Sequence, residues 1–189
     1  MSNAISEVAT CNIGPSVWLV YLDNGVLRYL QSADAGDSWS TQAVVLNDTS
    51  LGAVTSPTVG CEADRLYAAY VVGGNAVAFS RVGAAGAVPQ TVTLSDTSEA
   101  AGRPVLASRG NYVFCAWRGG AVGGGSGPAR IKLATSVDLG ATFAAPLVDG
   151  DGTAAQEQPQ LLLDGARIWL AWRDYRNGTP ALFHSRTEQ

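Results

Sequence analysis

The sequence predicts an all-β protein built from four repeated sheets, and three observations carry that reading. The first is composition. The 189 residues include 22 glycines and 8 prolines, and 47% are hydrophobic against 15% charged. That suits one domain with a sizeable core and many turns. The second is a fourfold apolar pattern: Val17-Trp18-Leu19-Val20-Tyr21, Leu66-Tyr67-Ala68-Ala69-Tyr70, Val113-Phe114-Cys115-Ala116-Trp117 and Ile168-Trp169-Leu170-Ala171-Trp172. Each run puts aromatics in second and fifth place. The third is a fixed proline upstream of each run, Pro57, Pro104 and Pro159, with Val8 at the matching place of the first repeat.

The elements follow in order. Short, near-continuous apolar runs fit strands buried on both faces, so each run is a strand b. The proline marks the first position of an inner strand a, where a missing N–H costs least. Strand c is expected over residues 26–31, 75–81, 129–135 and 179–185, and an outer strand d over 41–46, 89–94 and 144–148. No amphipathic helix is expected. The repeat length of about fifty residues divides one domain into units at 8–48, 56–96, 103–149 and 158–189. A glycine-rich insertion, Gly119–Gly127, lengthens the third unit. The fourth unit runs out after Ser185 inside a turn and supplies no strand d.

Two turns between strands c and d share one motif. Ser32-Ala33-Asp34-Ala35-Gly36-Asp37-Ser38-Trp39 and Ser136-Val137-Asp138-Leu139-Gly140-Ala141-Thr142-Phe143 both read S-x-D-x-G-x-[ST]-[WF]. Gly36 and Gly140 stand where a tight turn needs positive φ. Asp34 and Asp138 can accept hydrogen bonds from N–H groups of the same turn. Trp39 and Phe143 can plug a gap between neighbouring sheets. The second repeat lacks the motif, with Val82 and Ala84 in place of serine and aspartate when Gly86 is aligned with Gly36.

The motif resembles the Asp-box (BNR repeat) of sialidase-like β-propellers. The resemblance implies a β-propeller with four blades of mostly four antiparallel strands, either a small ring or a segment of a larger one. It implies a structural role for Ser32, Asp34, Gly36, Trp39, Ser136, Asp138, Gly140 and Phe143. Family members bind ligand on the opposite face, where the d–a and b–c connections gather. Those connections here are 47–57, 94–104 and 148–159, with 22–25, 118–128 and 173–178. Three outcomes stay open for the ring: closure by residues 1–7, a missing remainder, or an arc that closes by self-association, which unpaired edges invite.

The ligand-face connections carry Arg103, Arg118, Arg173, Asp174, Tyr175 and Arg176 as ligand-binding candidates. Arg118 and Arg173 follow Trp117 and Trp172 directly. Guanidinium groups match carboxylates bidentately. Sialidases use three arginines on the sialic-acid carboxylate, with a Tyr/Glu pair and an aspartate for the chemistry. Tyr175, Glu99, Glu157 and Asp174 are the residue types at hand, but the family's Arg-Ile-Pro motif is absent where Glu7 and Val8 stand, so no catalytic position is carried over. Structural readings stand beside these: Arg173-Asp174 as a local ion pair, and Trp117 and Trp172 as core.

Composition excludes other classes. Net charge is −4, and Lys132 is the one lysine among 12 basic residues, so no nucleic-acid footprint is expected. No apolar run reaches membrane-span length, and the first residues show neither a basic start nor an apolar stretch. Cys11, Cys61 and Cys115 include no C-x-x-C pair and read as small buried residues. A Cys11–Cys61 bond is conceivable, because the repeat puts both on inner strands of neighbouring blades. His184, the lone histidine, reads as a strand or surface residue. Asn47-Asp48-Thr49 and Asn177-Gly178-Thr179 match the glycosylation pattern. No metal and no cofactor is expected. The reading is a non-catalytic glycan-recognition or adhesion module, with a glycoside hydrolase and a self-assembling subunit as alternatives; glycans and further copies of the chain are the expected partners. The compartment stays open, an extracellular or surface setting being what the resemblance implies.

Overall fold

The structure, a computed structural model, describes residues 5–83, 87–95, 100–120, 127–148, 154–165 and 167–188. These residues form four antiparallel sheets, one from each repeat. The first holds β1 (Ile5–Ile13), β2 (Ser16–Asp23), β3 (Val26–Ser32) and β4 (Val44–Val45). The second holds β5 (Val54–Glu62), β6 (Arg65–Val72), β7 (Ala76–Val82) and β8 (Gln90–Thr93). The third holds β9 (Gly102–Arg109), β10 (Tyr112–Gly119), β11 (Arg130–Ser136) and β12 (Leu147–Val148). The fourth holds β13 (Gln156–Asp164), β14 (Arg167–Asp174) and β15 (Ala181–Glu188). The one described helix is a 3-10 turn, Thr49–Leu51, and none is long and apolar enough to cross a membrane.

The strands of each sheet lie side by side in sequence order. Inner strands pack consecutively, β1 on β5, β5 on β9 and β9 on β13. Among the described residues β13 and β1 have no comparable packing, and β15 pairs only with β14. Among the described residues the four blades therefore form an arc, open between the fourth and the first.

Alternation along strand b explains why its runs are apolar throughout. A strand turns successive side chains to opposite faces, and an internal blade has a neighbour on each face. Leu66, Ala68 and Tyr70 join Trp18, Val20 and Leu22 in a layer between blades one and two. Tyr67, Ala69 and Phe79 join Val113, Cys115 and Trp117 between blades two and three. Ala116 and Ile131 join Leu170 and Trp172 between blades three and four. Tyr67, Phe79 and Trp117 are wholly buried, each contributing roughly 1.5–3 kcal/mol of apolar transfer. The buried Tyr70 hydroxyl is satisfied by Ser80 at 2.6 Å, and Ser80 by Thr91 at 2.8 Å.

Both motif turns adopt one geometry. Ser32 Oγ donates to Asp34 Oδ1 at 2.7 Å and accepts from Gly36 N at 2.8 Å. Asp34 then accepts from Ser38 N and Ser38 Oγ. Ser136, Asp138, Gly140 and Thr142 repeat each bond. Ala35 and Gly36 lie at φ 59° and 100°, Leu139 and Gly140 at 61° and 77°. The turns pack on the a–b side, with Ala35 N bonded to Pro15 O and Leu139 N to Asn111 O. On the opposite side Val54 N reaches Gly25 O, Gly73 N reaches Ala53 O and Tyr175 N reaches Ala155 O. The two kinds of connection therefore gather on opposite faces of the arc.

Several expectations need correction. The prolines do not start strands: Pro57, Pro104 and Pro159 lie inside β5, β9 and β13. They are tolerated because each sits in a β-bulge, where one residue has no ladder partner. The fourth unit does not turn after Ser185. Arg186, Thr187 and Glu188 continue β15 against Trp169, Ile168 and Arg167, since no Asp/Gly turn interrupts the pairing. Strands d are shorter than expected at β4 and β12. Phe143 plugs a gap, but Trp39 is 39% exposed because no described blade packs against the turn of the first. Cys11 and Cys61 are close to each other as free thiols, not bonded, and burial raises both pKa values. Asn47 is buried with its Oδ1 bound by Leu27 N, so that pattern match is a structural amide. Most of the glycine-rich insertion, with Ala84, Gly86 and residues 1–4, lies outside the described residues.

Candidate functional site

The bulges build the inner rim of the arc. Register slips at Ser6/Val8 in β1, at Thr55/Thr58 in β5 and at Glu157/Gln160 in β13, and the slip at Ala116/Arg118 in β10 marks the same feature in β9. In every blade two residues of strand a face one fifth-place aromatic: Tyr21, Tyr70, Trp117 or Trp172. The first residue of each bulge is left-handed, with Glu7 at φ 50°, Ser56 at 52°, Arg103 at 51° and Gln158 at 55°. That conformation costs a non-glycine residue about 1–2 kcal/mol, and three of the four precede a proline, which itself favours extended backbone. All four side chains are exposed. A strained conformation repeated four times sets one polar side chain per blade on the rim, and such strain collects at functional sites.

Strand b supplies the second ring of side chains. Arg118 faces Gly102 across β10 and β9, and Arg173 faces Glu157 across β14 and β13. Arg103, Arg118, Glu157, Gln158 and Arg173, with Ser56 and Gly102, line one cavity of about 270 Å³. A second cavity of about 600 Å³ shares Arg103, Gln158 and Arg173 and adds Trp172, Pro180 and Leu182. Three guanidinium groups and one carboxylate thus meet between blades three and four.

The electrostatics follow from that set. Arg173 Nη2 donates to Glu157 Oε2. This bond, aided by the charges of Arg173, Arg118 and Arg103, holds the Glu157 carboxyl below its ordinary range. Glu157 is therefore ionised at neutral pH and answers one of the three positive charges. Arg173 is held more firmly charged, chiefly by the same bond. Its Nε is buried and has no hydrogen-bond acceptor among the described residues. Its guanidinium lies 5.2 Å from the Tyr175 ring centre, a cation–π contact that fixes its plane.

The neighbouring turn serves the scaffold. Asp174 is buried, 1% exposed, and accepts from Gln156 Nε2, Trp172 Nε1, Arg176 N and Arg176 Nη2. Those bonds, led by Arg176, hold its carboxyl well below the usual carboxylate range. Arg176 pairs with Asp174 and lies over the Phe183 ring at 4.3 Å. The ion pairs are thus Arg173–Glu157 and Arg176–Asp174, across strands and within the turn, rather than Arg173 with its neighbour Asp174. Of the six candidate residues, Arg103, Arg118 and Arg173 line the cavities. Tyr175 lies under Arg173, and Asp174 and Arg176 brace the turn beside them. Trp117 and Trp172 are core, although Trp172 also forms cavity wall. Glu99 lies outside the described residues. Ser56 and Gln158 join the site unannounced by their own type; the signal was the proline that follows each.

Chemically, the site can clasp a carboxylate or other planar anion and offer amide and hydroxyl groups to sugar hydroxyls. Among the described residues no group of three His, Cys, Asp or Glu could hold a metal ion.

No protein-family model matches the sequence, and no curated protein does. Solved structures do match in fold. A Penicillium chrysogenum α-L-arabinanase complexed with arabinobiose gives a TM-score of 0.62 at 10% identity, covering 92% of this chain and 60% of that one. An α-L-arabinofuranosidase from Fusarium graminearum with an iminosugar inhibitor gives 0.66 at 8%, covering 98% and 63%. A Hadza microbial sialidase gives 0.62 at 14%, covering 98% and 46%. The chain spans less than two thirds of each. At these identities the likeness is one of fold: an all-β arc resembling part of β-propeller glycoside hydrolases.

Proposed function

We propose that this chain is a carbohydrate-recognition module of the Asp-box β-propeller type that binds an acidic sugar without hydrolysing it. One observation carries the reading. Arg103, Arg118 and Arg173 surround a single cavity in which Glu157 is the one lining carboxylate among the described residues. The surplus positive charge favours an anionic ligand, and the guanidinium planes favour a carboxylate. The glycosidase-like fold supports a sugar as the bearer of that carboxylate, and the S-x-D-x-G turns support the Asp-box assignment.

Hydrolysis is disfavoured by the carboxylates. The two-carboxylate mechanism of most glycosidases needs one acid whose pKa is raised, facing a second carboxylate across the bond. Glu157 and Asp174 are both held below their ordinary range, and Asp174 is enclosed by its donors.

Calorimetric titration with a sialylated and a uronic-acid oligosaccharide, against neutral lactose, tests the proposal. Acidic sugars are expected to bind and lactose not. Arg118→Ala is expected to lose about tenfold or more in affinity, as for a charge-assisted hydrogen bond. Glu157→Gln removes the competing carboxylate and should strengthen binding several-fold. Equal binding of acidic and neutral sugars would refute the proposal. Release of fluorophore from aryl glycosides by the wild-type chain would overturn its non-catalytic half.

A further inference from the structure

The contact between blades two and three has two distinct halves. Blade two presents Tyr67, Phe79 and Arg81. Blade three presses the turn carrying Leu139, Gly140 and Phe143 onto them. Phe143 meets Phe79 edge-on at 4.9 Å. A side chain on Gly140 would collide with the Phe79 ring at 2.6 Å. Arg81 Nη1 donates to Leu139 O at 3.3 Å.

Both halves recur at the ends of the arc without a counterpart among the described residues. In blade two, Tyr67 pairs with Arg81 and Ala69 with Phe79. In blade four, Trp169 pairs with Arg186 and Ala171 with His184. Trp169, His184 and Arg186 therefore hold the places of Tyr67, Phe79 and Arg81 on a face that no described blade covers. His184 lies 6.0 Å from the Trp169 ring, and Arg186 folds over that ring at 5.6 Å. At the other end, Ala35, Gly36 and Trp39 hold the places of Leu139, Gly140 and Phe143 with the same turn geometry. Among the described residues, a side chain on Gly36 would meet Trp39 alone, at 3.9 Å.

We propose that a second copy of this chain seats its first blade on the fourth blade of its neighbour. Trp39 and Gly36 cover His184 and Trp169, and Arg186 donates to the Ala35 carbonyl, as Arg81 does to Leu139. The second copy is the occupant because one chain carries both halves of one contact at opposite ends. Charge agrees: the first-blade turn carries Asp34 and Asp37, and the fourth-blade face carries Arg186. The contact is heterologous, so it closes a ring or continues as a filament. Two copies supply eight blades, within the range of closed propellers.

Sedimentation velocity on the full chain over a range of concentrations tests this. The wild type is expected to dimerise. Trp39→Ala and Arg186→Glu should each weaken the dimer at least tenfold, with circular dichroism unchanged because both side chains are exposed. Asp37→Arg replaces Trp39→Ala should that variant fail to fold. An equimolar mixture of a first-blade variant with Arg186→Glu should recover dimer, because one copy keeps an intact fourth blade and the other an intact first blade. A wild type that stays monomeric at several hundred micromolar overturns the proposal. So does a dimer indifferent to these substitutions, or a mixture no stronger than either variant alone.

Discussion

Phe143 sets its ring edge-on against Phe79, 4.9 Å between centres and 68° between planes, and so fastens the turn of blade three to the sheet of blade two. Trp39, in the same place of the first turn, meets no ring among the described residues. Phe143→Ala should therefore destabilise the chain by about 2–4 kcal/mol, through lost burial and a lost aromatic pair. Trp39→Ala should cost a monomer under about 1 kcal/mol, as exposed substitutions do. Urea unfolding at low protein concentration measures both. Equal losses would show that the two turns do not differ as described.

The paired glycines separate strain from space. Gly36 and Gly140 share positive φ, so alanine at either costs about 1–2 kcal/mol of backbone strain. At Gly140 the new methyl also strikes the Phe79 ring, whereas at Gly36 its nearest neighbour is Trp39 at 3.9 Å. Gly140→Ala should be the costlier by at least about 1 kcal/mol, as overpacking is. Thermal melts of the two variants give the comparison.

Acid should loosen both motif turns. Ser38 and Ser32 hold the Asp34 carboxyl down to about 2 from an ordinary 3.8. Thr142 and Ser136 lower Asp138 in the same way. A carboxyl lowered by folding lends stability that is complete above its unfolded value and lost as pH falls through its folded value. The contribution of Asp34 should thus be whole above about pH 4 and fade towards pH 2. Denaturation midpoints of Asp34→Asn and Asp138→Asn should vary less over that window than those of the wild type. Parallel acid profiles would contradict the hydrogen-bond assignment.

The bulges trade stability for presentation of a side chain. Ser56→Gly relieves a left-handed serine at φ 52° and should stabilise the chain by about 0.5–1 kcal/mol. Arg103→Gly should stabilise similarly but lose acidic-sugar binding, because the rim then lacks a guanidinium group. Calorimetry beside denaturation reads both effects. Destabilisation by Ser56→Gly would mean that the serine side chain outweighs the strain.

Much of the architecture is legible in the sequence. The aromatic spacing located every strand b, because a strand enclosed by two sheets must be apolar on both faces. The S-x-D-x-G turns were legible because their bonds are local, between residues two to four apart. Arg118 and Arg173 were legible as a pair because they follow the same aromatic in successive repeats. Less legible was the meaning of the prolines. A missing N–H suits a strand start and a bulge equally, and only cross-strand register separates them.

The sequence by itself determined four repeated sheets, the strand b of each and the two clasping turns, since these depend on short-range periodicity and local hydrogen bonding. The tertiary structure alone decided which arginines share a cavity. It also decided that Arg173 pairs with Glu157 rather than with its neighbour Asp174, and that no described blade packs on Trp39 or Trp169 at the ends of the arc. Those facts depend on register and on how blades stack, which bring together residues far apart in the chain. Local pattern holds no record of such distances.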